Sequence, residues 1–177
     1  MRSYNLSKLN ILVLEKHLLI QRLFRDVLRE FNVGEVETTM DQKYAVSMLG
    51  EFKPDVIFCD WSDGLDGNTF LEQVRGGVAS PNPYVPVIMV TAYAEHRHVC
   101  WARDSGTTEY LIKPISARTI YGRICAVIEN HRQFIKCGNF FGPDRRRRNR
   151  DIGGPDRRMP QLTNFTGMPA ATGLHVS

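Results

Sequence analysis

Short apolar runs recur between helix-period segments along the first 137 residues, and this alternation limits the folds open to the chain more than any other feature. The runs at 11–14, 55–59 and 87–90 lack polar alternation and read as strands buried on both faces. Leu19, Ile20, Leu23, Phe24, Val27 and Leu28 fit one helical face, and Ala45, Val46, Leu49 and Phe52 fit a second. Leu71 and Val74 mark a third helix, and 95–105 a fourth. Ile120, Ile124, Val127 and Ile128 mark a long last helix, with Phe134 as a candidate for its far end. Weaker strands fall at 35–38 and 109–112. Five strand and helix units in alternation imply an α/β fold, a doubly wound parallel sheet with right-handed crossovers. Ligands of such sheets lie at the carboxyl ends of the strands.

Composition narrows the classes further. With 42% apolar residues the chain can bury a core, and neither a disulfide mini-protein nor a coiled coil fits. No stretch approaches the roughly 20 apolar residues of a membrane span, so the protein is expected to be soluble, unexported and cytoplasmic. Cys59, Cys100, Cys125 and Cys137 show no metal-ligand spacing and read as structural. The net charge of +4 lies entirely beyond residue 137, where seven arginines face three aspartates. That segment also has six Gly and four Pro in 40 residues without any period, and is expected to be disordered. The chain therefore divides into a domain over 1–137 and a basic tail over 138–177.

At the strand ends stand Glu15 and Lys16, Asp60, Thr91, and Lys113 followed by Pro114. Acids, a hydroxyl and a lysine converging at one sheet edge are the parts that accept and hold a phosphoryl group. A carboxylate attacks, the lysine and hydroxyl bind phosphoryl oxygens, and a divalent metal bridges acids and phosphate. On these landmarks, residues 8–135 resemble the CheY-like receiver domain of bacterial response regulators. The resemblance implies a flavodoxin-like sheet of order 2-1-3-4-5 and no enzymatic role, with Asp60 as phospho-acceptor of a histidine kinase. It also implies Thr91 and Tyr110 as a switch pair, Lys113 as the phosphate-sensing lysine, and a cis bond before Pro114.

Two departures stand out. The family's acidic pair after the first strand is here Glu15-Lys16, and the loop 61–67 is one residue shorter than the common pattern. An ammonium at the metal position repels a divalent ion in a low-dielectric cleft. Either Glu15 and Asp60 hold Mg2+ weakly, or Lys16 pairs with Asp60 and imitates one phosphorylation state.

The tail repeats Gly-Pro-Asp-Arg-Arg at 142–146 and 154–158, with Arg147, Arg148, Arg150 and Asp151 between. Carboxylates among arginines weaken a plain phosphate binder, so they need another role. Guanine supplies one, because arginine pairs bidentately with its O6 and N7 while aspartate accepts from its Watson-Crick edge. Asp144 with Arg145 and Arg146, and Asp156 with Arg157 and Arg158, thus form two guanine-reading units. They suit a ligand with guanines at two ends and phosphates between. Arg148 and Asp151 add an Arg-x-x-Asp pattern of the kind found in cyclic di-GMP sites.

A receiver with such a tail resembles the Cle group of CheY-like cyclic di-GMP effectors, best matched by its CleD type. That resemblance implies that the tail binds cyclic di-GMP, as one molecule or as a stacked dimer, and that the receiver engages a flagellar motor switch protein, placing the protein near the flagellar pole. The competing expectation is a conventional phosphorylated response regulator whose basic tail binds nucleic acid or an anionic membrane.

Overall fold

The expected runs become strands β1 (Asn10–Leu14), β2 (Glu35–Thr39), β3 (Val56–Trp61), β4 (Val87–Thr91) and β5 (Glu109–Ile112). Between and after them lie helices α1 (Leu18–Glu30), α2 (Gln42–Glu51), α3 (Gly67–Arg75), α4 (His96–Asp104) and α5 (Ala117–Glu129). The computed structural model describes residues 4–62, 65–76, 80–130, 132–138 and 140–144. The five strands pair in parallel in the order β2-β1-β3-β4-β5, as expected. No helix among the described residues is long and apolar enough to cross a membrane.

Because side chains alternate across a strand, each run feeds two cores. Ile11 and Val13 of β1, with Phe58, Ile88, Val90 and Leu111, pack beneath Phe24 and Leu28 of α1 and Ile120 and Ile124 of α5. Leu12 and Leu14 face the other way, joining Ile57, Cys59, Val87 and Met89 under α2 and α3. Phe24 and Phe58 meet at 4.9 Å between ring centroids. Local chemistry sets the helix ends. Asp41 and Asp66 accept backbone N–H bonds at the starts of α2 and α3, and Ser116 and Thr119 form a reciprocal capping box on α5. Asn32 closes α1 in the left-handed region, φ 54°, where Val33 N–H reaches Leu28 C=O.

Three expectations are corrected. Leu19 is 82% exposed and Leu23 also stands out in solvent, so the buried stripe of α1 is Phe24, Val27 and Leu28, with Ile20 partly covered. The last helix does not reach Phe134. It ends at Glu129, and Asn130 leaves the helical dihedrals. Phe134–Cys137 (β6) and Phe140–Pro143 (β7) then form an antiparallel hairpin.

The boundary placed after residue 137 thus falls in the turn of this hairpin, at Gly138 with φ 57°. The start of the segment expected to be disordered is instead paired strand, with Gly142 and Pro143 buried. Among the cysteines only Cys59 is fully buried, and Cys137 is exposed.

Candidate functional site

Parallel pairing brings the strand ends to one edge. Asp60 lies opposite Val90 and Trp61 opposite Thr91, while Lys113 N–H donates to Thr91 C=O at 2.8 Å and Glu15 N–H to Thr39 C=O at 2.9 Å. Glu15 and Asp60 are each 1% exposed. The Lys113 ammonium spans them, donating to Glu15 Oε2 and to Asp60 Oδ1, both at 2.8 Å. Burial pulls the Lys113 pKa down, but hydrogen bonds and charges from Asp60 and Glu15 outweigh that and hold it above the ordinary lysine value. The peptide bond before Pro114 is cis, as expected.

The second oxygen of each acid points to other groups. Ser62 Oγ donates to Asp60 Oδ2 at 2.7 Å. His17 approaches Glu15 Oε1 at 2.9 Å through both its backbone N–H and Nδ1. Glu15, His17 and Asp60 each offer one ligand atom within 4.8 Å of the others. Lys16 is exposed, while Asp60 is ion-paired with Lys113. Chemically, the edge presents a carboxylate nucleophile beside an ammonium able to neutralise phosphoryl charge. Magnesium fits it poorly. That ion demands a near-octahedral shell of oxygens, whereas here one acid is replaced by a lysine, an ammonium already touches both carboxylates, and the third donor is an imidazole.

Thr91 and Tyr110 converge on one loop residue. Thr91 Oγ1 donates to Trp61 C=O at 2.7 Å and accepts from Tyr93 N–H at 3.1 Å, and Tyr110 Oη donates to Tyr93 C=O at 2.7 Å. Burial raises the Tyr110 pKa, partly opposed by its hydrogen bond with Thr91. Both expected switch residues therefore fasten the loop between β4 and α4. Trp61 packs edge-on to Tyr93 and His98 and lies 4.7 Å from Trp101, which is 48% exposed. Sequence reasoning passed over Trp61, although an aromatic directly after the acceptor strand was a visible signal. It also passed over His17 and Ser62, each two residues beyond a carboxylate.

At the opposite pole, near the amino ends of β4 and β5, the hairpin is seated on the sheet domain. Arg75, at the end of α3, is buried and donates to Gly106 C=O at 3.1 Å and to Pro83 and Val85 C=O at 2.7 Å each. Burial pulls its pKa down to about 9, so it stays charged at neutral pH. Its Cζ lies 5.1 Å from the centroid of the Phe134 ring. Tyr84 packs edge-on to both Phe134 and Phe141, and Arg132 pairs with Glu109 at 3.0 Å. Asp144 follows directly, its N–H donating to Gln133 C=O at 2.7 Å. Of the expected tail ligands only Asp144 is described. Arg145, Arg146, Arg147, Arg148, Arg150, Asp151, Asp156, Arg157 and Arg158 lie outside the described residues.

Residues 11–125 match the family model of the response regulator receiver domain. The chain is 25% identical over 124 residues to the chemotaxis protein CheY-3 of Vibrio cholerae, covering 70% of this chain and 94% of that one. It is 26% identical over 122 residues to the chemotaxis protein CheY of Pseudomonas aeruginosa, covering 68% and 97%. The solved structure of Vibrio cholerae CheY4 superposes with a TM-score of 0.61 at 22% identity, over 67% of this chain and 98% of that one.

Proposed function

Because the chain belongs to the response regulator receiver family, we propose that it is a non-enzymatic effector in which cyclic di-GMP bound by the tail alters the affinity of the receiver for a flagellar motor switch protein. The observation that carries this reading is the placement of the duplicated Gly-Pro-Asp-Arg-Arg motif. Its first copy begins inside β7, on a hairpin fixed to the receiver by Arg75, Tyr84 and Phe134. A basic tail serving only as a polyanion binder needs no such seat. Two further features agree. Lys16, standing where the family has its second acid, weakens metal-dependent phosphorylation as the main input, and the relatives named above are chemotaxis proteins. On this reading the protein works in the cytoplasm and is recruited to the flagellar pole.

The assembled edge of Glu15, Asp60, Thr91 and Lys113 favours a second reading, a receiver phosphorylated on Asp60 by a histidine kinase, with a tail that binds nucleic acid or an anionic membrane. Asp144→Asn with Asp156→Asn separates the two. The change raises the net charge of residues 138–177 from +4 to +6 while removing both guanine acceptors. Calorimetric titration of cyclic di-GMP into the intact protein, the double variant and a chain ending after Asp144 is the test. Weaker binding by the double variant and none by the shortened chain are expected. Tighter binding by the double variant refutes guanine reading and supports the second reading.

A further inference from the structure

We propose that the free edge of β6 is a pairing surface for a second copy of this chain. Two hairpins join edge to edge about a two-fold axis at Ile135, making a single antiparallel sheet of order β7-β6-β6-β7. The inference does not rest on the cyclic di-GMP reading.

The hydrogen-bond alternation of the hairpin decides which backbone groups face outward. Asp144 N–H donates to Gln133 C=O at 2.7 Å, so in antiparallel phase Ile135 with Gly142 and Cys137 with Phe140 exchange bonds across the ribbon. Phe134 and Lys136 then turn their N–H and C=O groups off the outer side of β6, and Phe141 and Pro143 turn theirs off the outer side of β7. The β7 side is taken. Pro143 has no N–H, and Phe141 C=O approaches Gly106 so closely that a Cβ added there would lie 2.9 Å from the oxygen. The β6 side is open, because among the described residues no hydrogen bond reaches the outward groups of Phe134 or Lys136. Lys136 and Cys137 are exposed. A two-stranded ribbon is marginal in water until further strands join it, and an edge without proline, acid or bulge is a template for one.

The occupant is a second copy because the edge complements itself. With the axis at Ile135, Phe134 of each copy exchanges both backbone bonds with Lys136 of the other, so every outward donor finds an acceptor. Ile135 then meets Ile135 across the axis, apolar against apolar. Other registers fail on charge. An axis at Lys136 sets ammonium against ammonium, and one at Phe134 sets Lys136 opposite Arg132; like charges directly opposite destabilise a strand pair. An isologous contact of this kind closes at the dimer, and its small area makes it weak and concentration-dependent.

The test follows full-length protein from about 10 µM to about 1 mM, the span in which so small an interface shifts between monomer and dimer. Sedimentation velocity gives the association, and amide exchange locates it. Expected is a dimer that grows with concentration, in which the amides of Phe134 and Lys136 become protected while those of Ile135 and Cys137 are protected throughout. Lys136→Pro deletes an outward N–H but no bond within the hairpin, a placement that proline tolerates on an edge strand. It should weaken the dimer by about tenfold or more, the effect of one lost hydrogen bond in each copy. Unchanged exchange at Ile135 and Gly142 reports that its hairpin is kept, and Lys136→Thr, which removes the charge alone, should still dimerise. In a Cys137→Ser background, Ile135→Cys should form an intermolecular disulfide, since residues facing each other at such an axis stand about 4.5 Å apart at Cα. A monomer at every concentration, a dimer indifferent to Lys136→Pro, or one that Lys136→Thr abolishes equally would overturn the proposal.

Discussion

One methyl group added at Gly142 should loosen the hairpin from the receiver. A Cβ built there lies 2.7 Å from Gly106 Cα, a backbone atom that cannot swing aside, and ordinary contact begins near 3.4 Å. The hairpin must therefore lift by about 0.7 Å, and a gap of that size forfeits a quarter to a half of a packing contact. Three contacts feel it: Arg75 over Phe134, and Tyr84 against Phe134 and Phe141. At about 1 kcal/mol each their partial loss costs about 1 kcal/mol, and overpacking adds about 1 to 2 more. Gly142→Ala should thus cost roughly 2–3 kcal/mol, which corresponds to about 30- to 150-fold faster amide exchange in β6 and β7 if the hairpin opens locally. Hydrogen exchange followed by NMR is the assay, with β1 and β3 as internal standards expected to stay unchanged. Unaltered exchange at residues 134–143 refutes the claim that the Gly106–Gly142 approach seats the hairpin.

Gly122→Ala is the opposite case, since a Cβ there meets nothing within 4 Å in the middle of α5; it should raise stability by about 0.5–1 kcal/mol in urea denaturation. Asp66→Ala removes the N-cap of α3 and should cost about 1 kcal/mol. The Asp66 pKa is lowered, chiefly by its hydrogen bond from Thr69. Its contribution is therefore present above the unfolded carboxylate pKa of about 3.9 and fades as pH falls through the lower folded value, so variant and native stabilities should converge only in that acid range. Lys16→Asp restores a second acid beside Glu15 and should raise Mg2+ affinity in a titration read by tryptophan fluorescence, since Trp61 adjoins Asp60; superimposable curves for the two proteins would contradict the charge argument.

The acid edge was legible because each of its residues stands at or one position past the end of an apolar run, where parallel pairing leaves little freedom. Asp60 ends the buried part of β3, and Lys113 follows β5. The partners of those residues were harder to read. Lys113 bridges Glu15 and Asp60 across 98 and 53 residues, and periodicity does not say which ammonium an acid will choose. Leu19 and Leu23 fit the helical stripe of α1, but a stripe states which residues share a face and not how much of that face a sheet covers. The hairpin left no local trace at all. Two four-residue strands carrying Gly142 and Pro143 have no period, and what holds them is a guanidinium, a tyrosine ring and a glycine contributed from positions 75, 84 and 106.

The hairpin and the acid edge lie at opposite ends of β4 and β5, separated by four or five strand residues, or about 13 Å at the usual rise. On the reading proposed above, a ligand held where the described chain leaves at Asp144 meets one end of β4 and β5, and a protein bound over Asp60 meets the other. Val85 and Gly106, which accept from the guanidinium beneath the hairpin, lead through β4 and β5 to Thr91 and Lys113, so a displacement at one end has a short, continuous chain path to the other.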